Sequence, residues 1–341
     1  KMNRNQLING VPQNMSSPKK VWRKIKKTIV IDSRDRQITQ SSSPGNYTVL
    51  FPAVYSNIYS MTLRSYELPF TYNQFAACQN NTSFTMTYTP SGGSPSTQTV
   101  KIPDGNYTIT TLPSFLTQSM NNAFGTLSNM PLQTYWNPVT SIASIYSTNS
   151  NDSFSINFTA SQTVNCGVGQ NTALSTGWGL GYYLGFYQSN YQSSNTQIYT
   201  NTSQLALQTL PNLTGNFLMN PAPDTYILMD IAGLNKLDET GLDGRQAGRI
   251  DGAFAKIPLT NNTGEYLFFQ DSSGTSPLNY RVYNPPIARL DRITVRWRRH
   301  DGRTIDFNGA EHSFALELEL LDNNFDEYSS LEFGNGERVS Q

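Results

Sequence analysis

Apolar and polar residues alternate along much of the chain in short runs, set apart by Pro, Gly, Asn and Ser. Ile58-Tyr59-Ser60-Met61-Thr62-Leu63-Arg64-Ser65-Tyr66-Glu67-Leu68 keeps a period of two, which lays one face of a strand on a core. Ser83 to Tyr88 does the same, with Phe84, Met86 and Tyr88 on one side. Tyr47 to Phe51 follows the turn Pro44-Gly45-Asn46, and Thr97 to Ile102 is closed by Pro103-Asp104-Gly105. Further strand-like runs are Phe154 to Phe158, Thr225 to Ile231, Phe254 to Leu259, Tyr266 to Phe269, Arg292 to Trp297 and Phe314 to Leu321. One segment has a helical period instead. Leu112, Phe115, Leu116, Met120, Ala123 and Phe124 recur at steps of three and four, Pro113 falls in the first turn, and Gly125 can end the helix in a left-handed conformation.

Many short strands with one short helix predict a mainly β, antiparallel sandwich of the jelly-roll kind. A parallel α/β fold would need a helical pattern between most strands, and none is found. Composition agrees. Only 14% of residues are charged, while Tyr (19), Phe (17) and the polar uncharged residues are abundant, which suits pleated surfaces and tight turns. No apolar run reaches the roughly 18 residues of a membrane-spanning helix, and no charged-then-apolar leader is recognised. Cys78 and Cys166 make no disulfide framework and no four-thiolate zinc site; one disulfide is open to them, but the favoured reading is two buried or idle thiols in a reducing compartment.

Charge divides the chain into domains. The 24 basic and 24 acidic groups cancel, but residues 1–27 hold 8 of the basic groups and no acid, so the remainder sums to −8. Residues 1–27 therefore read as a flexible basic N-terminal arm, in which Lys19, Lys20, Arg23, Lys24, Lys26 and Lys27 surround the apolar anchor Trp22. Such an arm suits an acidic protein surface or an anionic inner membrane; no specific nucleic-acid recognition is expected. Residues 28–322 read as the sandwich body and 323–341 as an acidic tail, and the two oppositely charged ends are expected to meet between neighbouring copies. Between Gly105 and Pro223 the sole ionisable acid is Asp152, with no Lys or Arg, so residues 129–223 read as a charge-poor insertion or a second β subdomain. Its aromatic cluster, Tyr182, Tyr183 and Tyr187, is a candidate contact surface, including for glycans. The stretch Arg292-Ile293-Thr294-Val295-Arg296-Trp297-Arg298 sets a basic face against an apolar one, so its arginines are expected to face solvent or an acidic partner.

Candidate chemistry is sparse. His300-Asp301 and Glu311-His312 are the material for an acid–base pair, yet there is no nucleophile elbow, Walker loop or dinucleotide fingerprint. Gly177-Trp178-Gly179-Leu180-Gly181 reads as tight turns. Asp238, Glu239 and Asp243 match no standard calcium loop. Asp32-Ser33-Arg34-Asp35-Arg36 points to local ion pairing. No catalytic residue, metal or cofactor is expected.

Three phrases in order, Ile31-Asp32-Ser33-Arg34-Asp35-Arg36, Tyr55 to Pro69 and Ile102-Pro103-Asp104-Gly105-Asn106-Tyr107-Thr108, resemble minor capsid and penton (vertex) proteins of large icosahedral nucleocytoplasmic double-stranded DNA viruses. Phe254 to Leu259 and Asp301 to Gly309 with His312-Ser313-Phe314 fit the same group. The resemblance covers about residues 28–125 and 250–321. It implies a structural jelly roll of the virion, assembled in the host cytoplasm, that forms a pentamer at five-fold vertices beside the major capsid protein and other minor capsid proteins. A minor protein cementing the major capsomers from the inner side is the alternative within that class; a receptor- or glycan-binding β-sandwich is the alternative outside it.

Overall fold

The alternation from Tyr47 onward does produce a strand, and a longer one than two separate runs suggest. In the computed structural model, which describes residues 23–39, 42–158, 179–200, 207–222, 224–238, 252–260, 264–271, 279–300 and 302–322, the two runs merge into β2 (Asn46–Pro69). Its partner is β14 (Tyr280–Arg298), and both strands are long enough to run through several neighbours. With β1 (Arg23–Asp32), β11 (Tyr226–Ile231), β12 (Ala255–Pro258), β13 (Tyr266–Gln270) and β15 (Ser313–Asp322) they form a seven-stranded antiparallel sheet. Its order is β1-β15-β2-β14-β11-β12, with β13 on the far end of β2. Strands from the start of the chain interleave with strands from its end. The pairings β1·β15 and β2·β14 are nested, as in a long antiparallel hairpin wound over itself, which is jelly-roll winding. Inward positions of these strands, among them Ile31, Val49, Met61, Leu63, Met229, Ile257, Val295, Trp297 and Leu316, make one apolar core.

The chain between β2 and β11 builds a second unit around its own core. Here β3 (Ser83–Thr89), β4 (Ser96–Lys101), β7 (Ser153–Asn157) and β8 (Asn190–Gln192) form one four-stranded sheet in the order β4-β3-β7-β8. A second sheet, in the order β5-β6-β10-β9, comprises β5 (Leu132–Trp136), β6 (Ile142–Ser147), β9 (Ser194–Tyr199) and β10 (Leu207–Leu218). Helix α1 (Thr111–Ala123) presents Leu112, Leu116 and Met120 to this core, as its period predicts, and Gly125 follows at φ 67°. Asn121 ties the helix to β5: its amide nitrogen donates to the Leu132 carbonyl (2.6 Å) and its oxygen accepts from the Leu132 N–H (3.2 Å).

Three expectations change. The second core reaches back to Phe75 and takes in β3, β4 and α1, so this unit begins well before residue 129. The tight turns expected around Gly181 include a short helix, α2 (Leu180–Leu184), closed by Gly185 in the left-handed region at φ 84°. Cys78 is disulfide-bonded, not an idle thiol; Cys166 lies outside the described residues. The described helices include none long and apolar enough to cross a membrane.

Buried arginines hold the entry to the second unit against the first. The Arg299 guanidinium donates to the Asn73 carbonyl (2.9 Å), reaches the Asp224 carboxylate (3.3 Å) and lies over the Tyr72 ring, while Arg303 donates to Gln79 (3.4 Å).

Candidate functional site

The basic stretch from Arg23 to Lys27 is strand, not arm. It opens β1, whose register pairs Lys24 with Leu321 and Lys26 with Glu319. Ile29 and Ile31 at the inner part of the strand are buried, while Arg23, Lys24, Lys26 and Lys27 toward its start are exposed on both faces. Lys26 binds Glu317 (3.0 Å) and Lys24 approaches Glu319 (3.6 Å), so these two lysines of the basic stretch are met by acids of the neighbouring β15 in the same chain. Exposed pairs of this kind are worth about 0–1 kcal/mol each. Lysines on the outermost strand also discourage uncontrolled pairing along a sheet edge. Lys19, Lys20 and Trp22 lie outside the described residues, as does the acidic tail 323–341.

The aromatic cluster divides. Helix α2 turns Tyr183 into the second core, where it is 2% exposed against Phe75, so it offers no surface for a partner. Tyr182 and Tyr187 remain half-buried and stack on each other (5.6 Å between centroids, 9° between planes). Tyr187 also stacks on Phe217 (4.5 Å), which is 52% exposed beside the exposed Leu218. The result is a three-ring ladder on a charge-poor surface. Gly185 sets it in place: its carbonyl accepts from the Asn216 (2.9 Å) and Phe217 (3.1 Å) N–H groups, and a Cβ there would run into the Phe217 carbonyl. Gly185→Ala is therefore expected to cost roughly 2 kcal/mol by thermal denaturation. Gly233→Ala, with a similar φ of 75° but open space around the Cβ, should cost clearly less.

The expected basic face of β14 is largely absorbed inside the chain. Ile293, Val295 and Trp297 are buried as predicted, and Arg292 is exposed. Arg298 is buried instead and binds Asp230 of β11 (2.7 Å), while Arg296 donates to Thr304 and to the Gly302 carbonyl. Sequence spacing put these arginines on the polar face correctly, but their partners come from β11 and the turn after β14.

The candidate chemical residues are engaged structurally. His312 is 4% exposed; its Nε2 accepts from Trp297 Nε1 (2.8 Å), a group that can only donate, and lies 3.0 Å from the Tyr47 hydroxyl. Its backbone N–H donates to Ser33 (2.9 Å). Burial outweighs the nearby Glu311 and Asp32 charges and pushes the imidazole down to about 4, so it is neutral at pH 7. Arg36 holds Glu311 at 2.7 Å, and Arg34 holds Asp32, the local pairing expected of that motif. His300 is exposed and bonded through Nδ1 to the Tyr226 hydroxyl (2.8 Å). Glu239 and Asp243 lie outside the described residues, among which no group of three or more His, Cys, Asp or Glu is placed to hold a metal.

The structure thus combines a winding antiparallel body with a charge-poor inserted unit. Over 97 residues the chain is 32% identical to penton capsid protein P1 of Paramecium bursaria Chlorella virus 1. The match takes in 28% of this chain and 54% of that protein, so the chain spans about half the length of the curated relative it matches. The resemblance to penton capsid proteins read from the sequence phrases is thereby borne out. Among solved structures it is similar to the mavirus penton protein (8% identity, TM-score 0.43, 87% of this chain and 99% of that one). It is also similar to a chain of the Sputnik virophage (13% identity, TM-score 0.40, 86% and 97%). No protein-family model matches the chain.

Proposed function

We propose that the chain is a structural capsid subunit of an icosahedral DNA virus, a penton protein that forms a ring of five at the five-fold vertices. The observation that carries this reading is the 32% identity to a penton capsid protein. A cyclic ring needs a heterologous contact, one flank of each copy against a different flank of the next. A stable contact of this type buries on the order of 1,200 Å² or more. The inserted unit suits such a flank, because it carries almost no charge to desolvate. The adjoining partners are then the major capsid protein and other minor capsid proteins, with the basic arm directed to acidic protein or membrane beneath the shell. Host cytoplasm is the proposed place of assembly.

The test is a reconstruction of purified particles combined with native mass spectrometry of the isolated chain. Density for the chain in five copies at each vertex, and assemblies in multiples of five, are the expected results. Density spread beneath the capsomers, away from the five-fold axes, would replace this reading with an inner cementing protein.

A further inference from the structure

The pairing of β2 with β14 breaks at a place that neither the cores nor the proposed ring explains. Ser60 pairs with Val282 and Ile58 with Ile287, so Tyr283, Asn284, Pro285 and Pro286 stand opposite Tyr59 alone. This excursion is a large bulge, a feature that re-aims a strand at a functional place. It leaves a groove of about 550 Å³, lined by Tyr59, Val282, Asn284, Pro286, Ala288 and Leu321 among others. The size falls within the range of clefts that hold ligands. Apolar side chains dominate, and Val282 keeps 41% of its surface exposed. Beside it the Lys24 ammonium lies 4.2 Å from the centre of the Tyr59 ring and also approaches Glu319 (3.6 Å), so charge at this edge is already balanced within the sheet.

We infer that this groove is the docking site of the chain's own segment following β15, centred on Phe325-Asp326-Glu327-Tyr328-Ser329-Ser330-Leu331-Glu332-Phe333. The reach is short. Leu321 is itself part of the groove wall and β15 ends at Asp322, so Phe325 follows three residues on, within roughly 10 Å of extended chain. The apolar chemistry matches. Phe325, Tyr328, Leu331 and Phe333 supply apolar side chains. A tether this short holds its ligand at roughly millimolar effective concentration, which favours the segment in its own chain over that of another copy. Docking of this kind stands whether or not the subunit forms pentamers.

Hydrogen exchange of the full chain tests it. Ala288→Glu places a carboxylate on an exposed wall of the groove without touching either core. Exchange of residues 323–333 should then accelerate roughly tenfold. Phe325→Ser with Tyr328→Ser, which changes nothing in the sheet, should produce the same acceleration at an unchanged melting temperature. Equal exchange in the parent and both variants overturns the inference. Protection that disappears on dilution of the parent also overturns it, by assigning the segment to a neighbouring copy.

Discussion

Asp152→Ala is expected to lower the unfolding free energy by about 4 kcal/mol, a large loss for one side chain on the surface of a loop in sequence terms. Asp152 is 4% exposed and follows the turn after β6. Its carboxylate accepts from the Tyr88 hydroxyl (2.7 Å), the Ser147 hydroxyl (2.5 Å), the Ser91 N–H (2.8 Å) and the Asn149 amide (3.3 Å). The negative charge is thus held by neutral donors, in a stretch from Gly105 to Pro223 that has no Lys or Arg. Those donors knit β3 of one sheet to β6 of the other. Burial, reinforced by the adjacent carboxylate, raises the Tyr88 phenol above its ordinary value, so it remains a donor. Removing the acceptor strands several buried groups at about 1–3 kcal/mol each. Asp152→Asn keeps one acceptor oxygen and should cost about half as much. Urea denaturation of the full chain measures both. A loss below about 1 kcal/mol for the alanine variant would mean that the node is dispensable.

The second large effect is on pH dependence. His312 is held near 4 in the folded protein against an ordinary value of 6.5. Below pH 6.5 the unfolded chain therefore takes up a proton that the folded chain refuses. Stability from this group is fully present above pH 6.5, falls as pH drops toward 4, and is flat below that. The interval corresponds to about 3 kcal/mol. Glu311, Glu317 and Asp32, all held below their usual values by neighbouring cations and hydrogen bonds, add their own loss at lower pH. His312→Gln offers an oxygen to Trp297 and Tyr47 but does not titrate. Unfolding free energies measured from pH 4.5 to 7 should slope upward in the parent and lie nearly flat in the variant. Parallel slopes would remove His312 from the account.

The strand content of the body was legible because its strands bury one face, and a period of two follows directly. Helix α1 was legible for the same reason, with Pro113 and Gly125 marking its ends. The start of the second unit was not, since Phe84, Met86 and Tyr88 alternate just as the body strands do and no change of composition falls at Phe75. Helix α2 escaped because Gly179, Gly181 and Gly185 argue against helix; packing overrides propensity there, Gly181 lying where a Cβ would strike Phe158. Arg23 to Lys27 looked like an arm because lysines on a solvated tail and lysines guarding a sheet edge have the same composition. Of the contact candidates, Tyr182 and Tyr187 reach the surface, whereas Tyr183 shows that adjacent tyrosines on one helical turn point in different directions. Two cysteines so far apart in sequence gave no signal that Cys78 is bonded. The groove beside Tyr59 was invisible too, because it arises from a mismatch in strand register and not from any local run of residues.

The nested order of the main sheet governs when the molecule can be finished. β15 lies between β1 and β2, yet the ribosome makes it more than 240 residues after β2 ends. Until Ser313 to Asp322 emerge, β1 has no neighbour and one side of β2 is bare, whereas the inserted unit already has every strand it needs. Translation therefore yields a completed appendage on an open frame, and the closing strand acts as a checkpoint: polypeptides cut short before Ser313 retain sticky edges that mark them for aggregation or disposal.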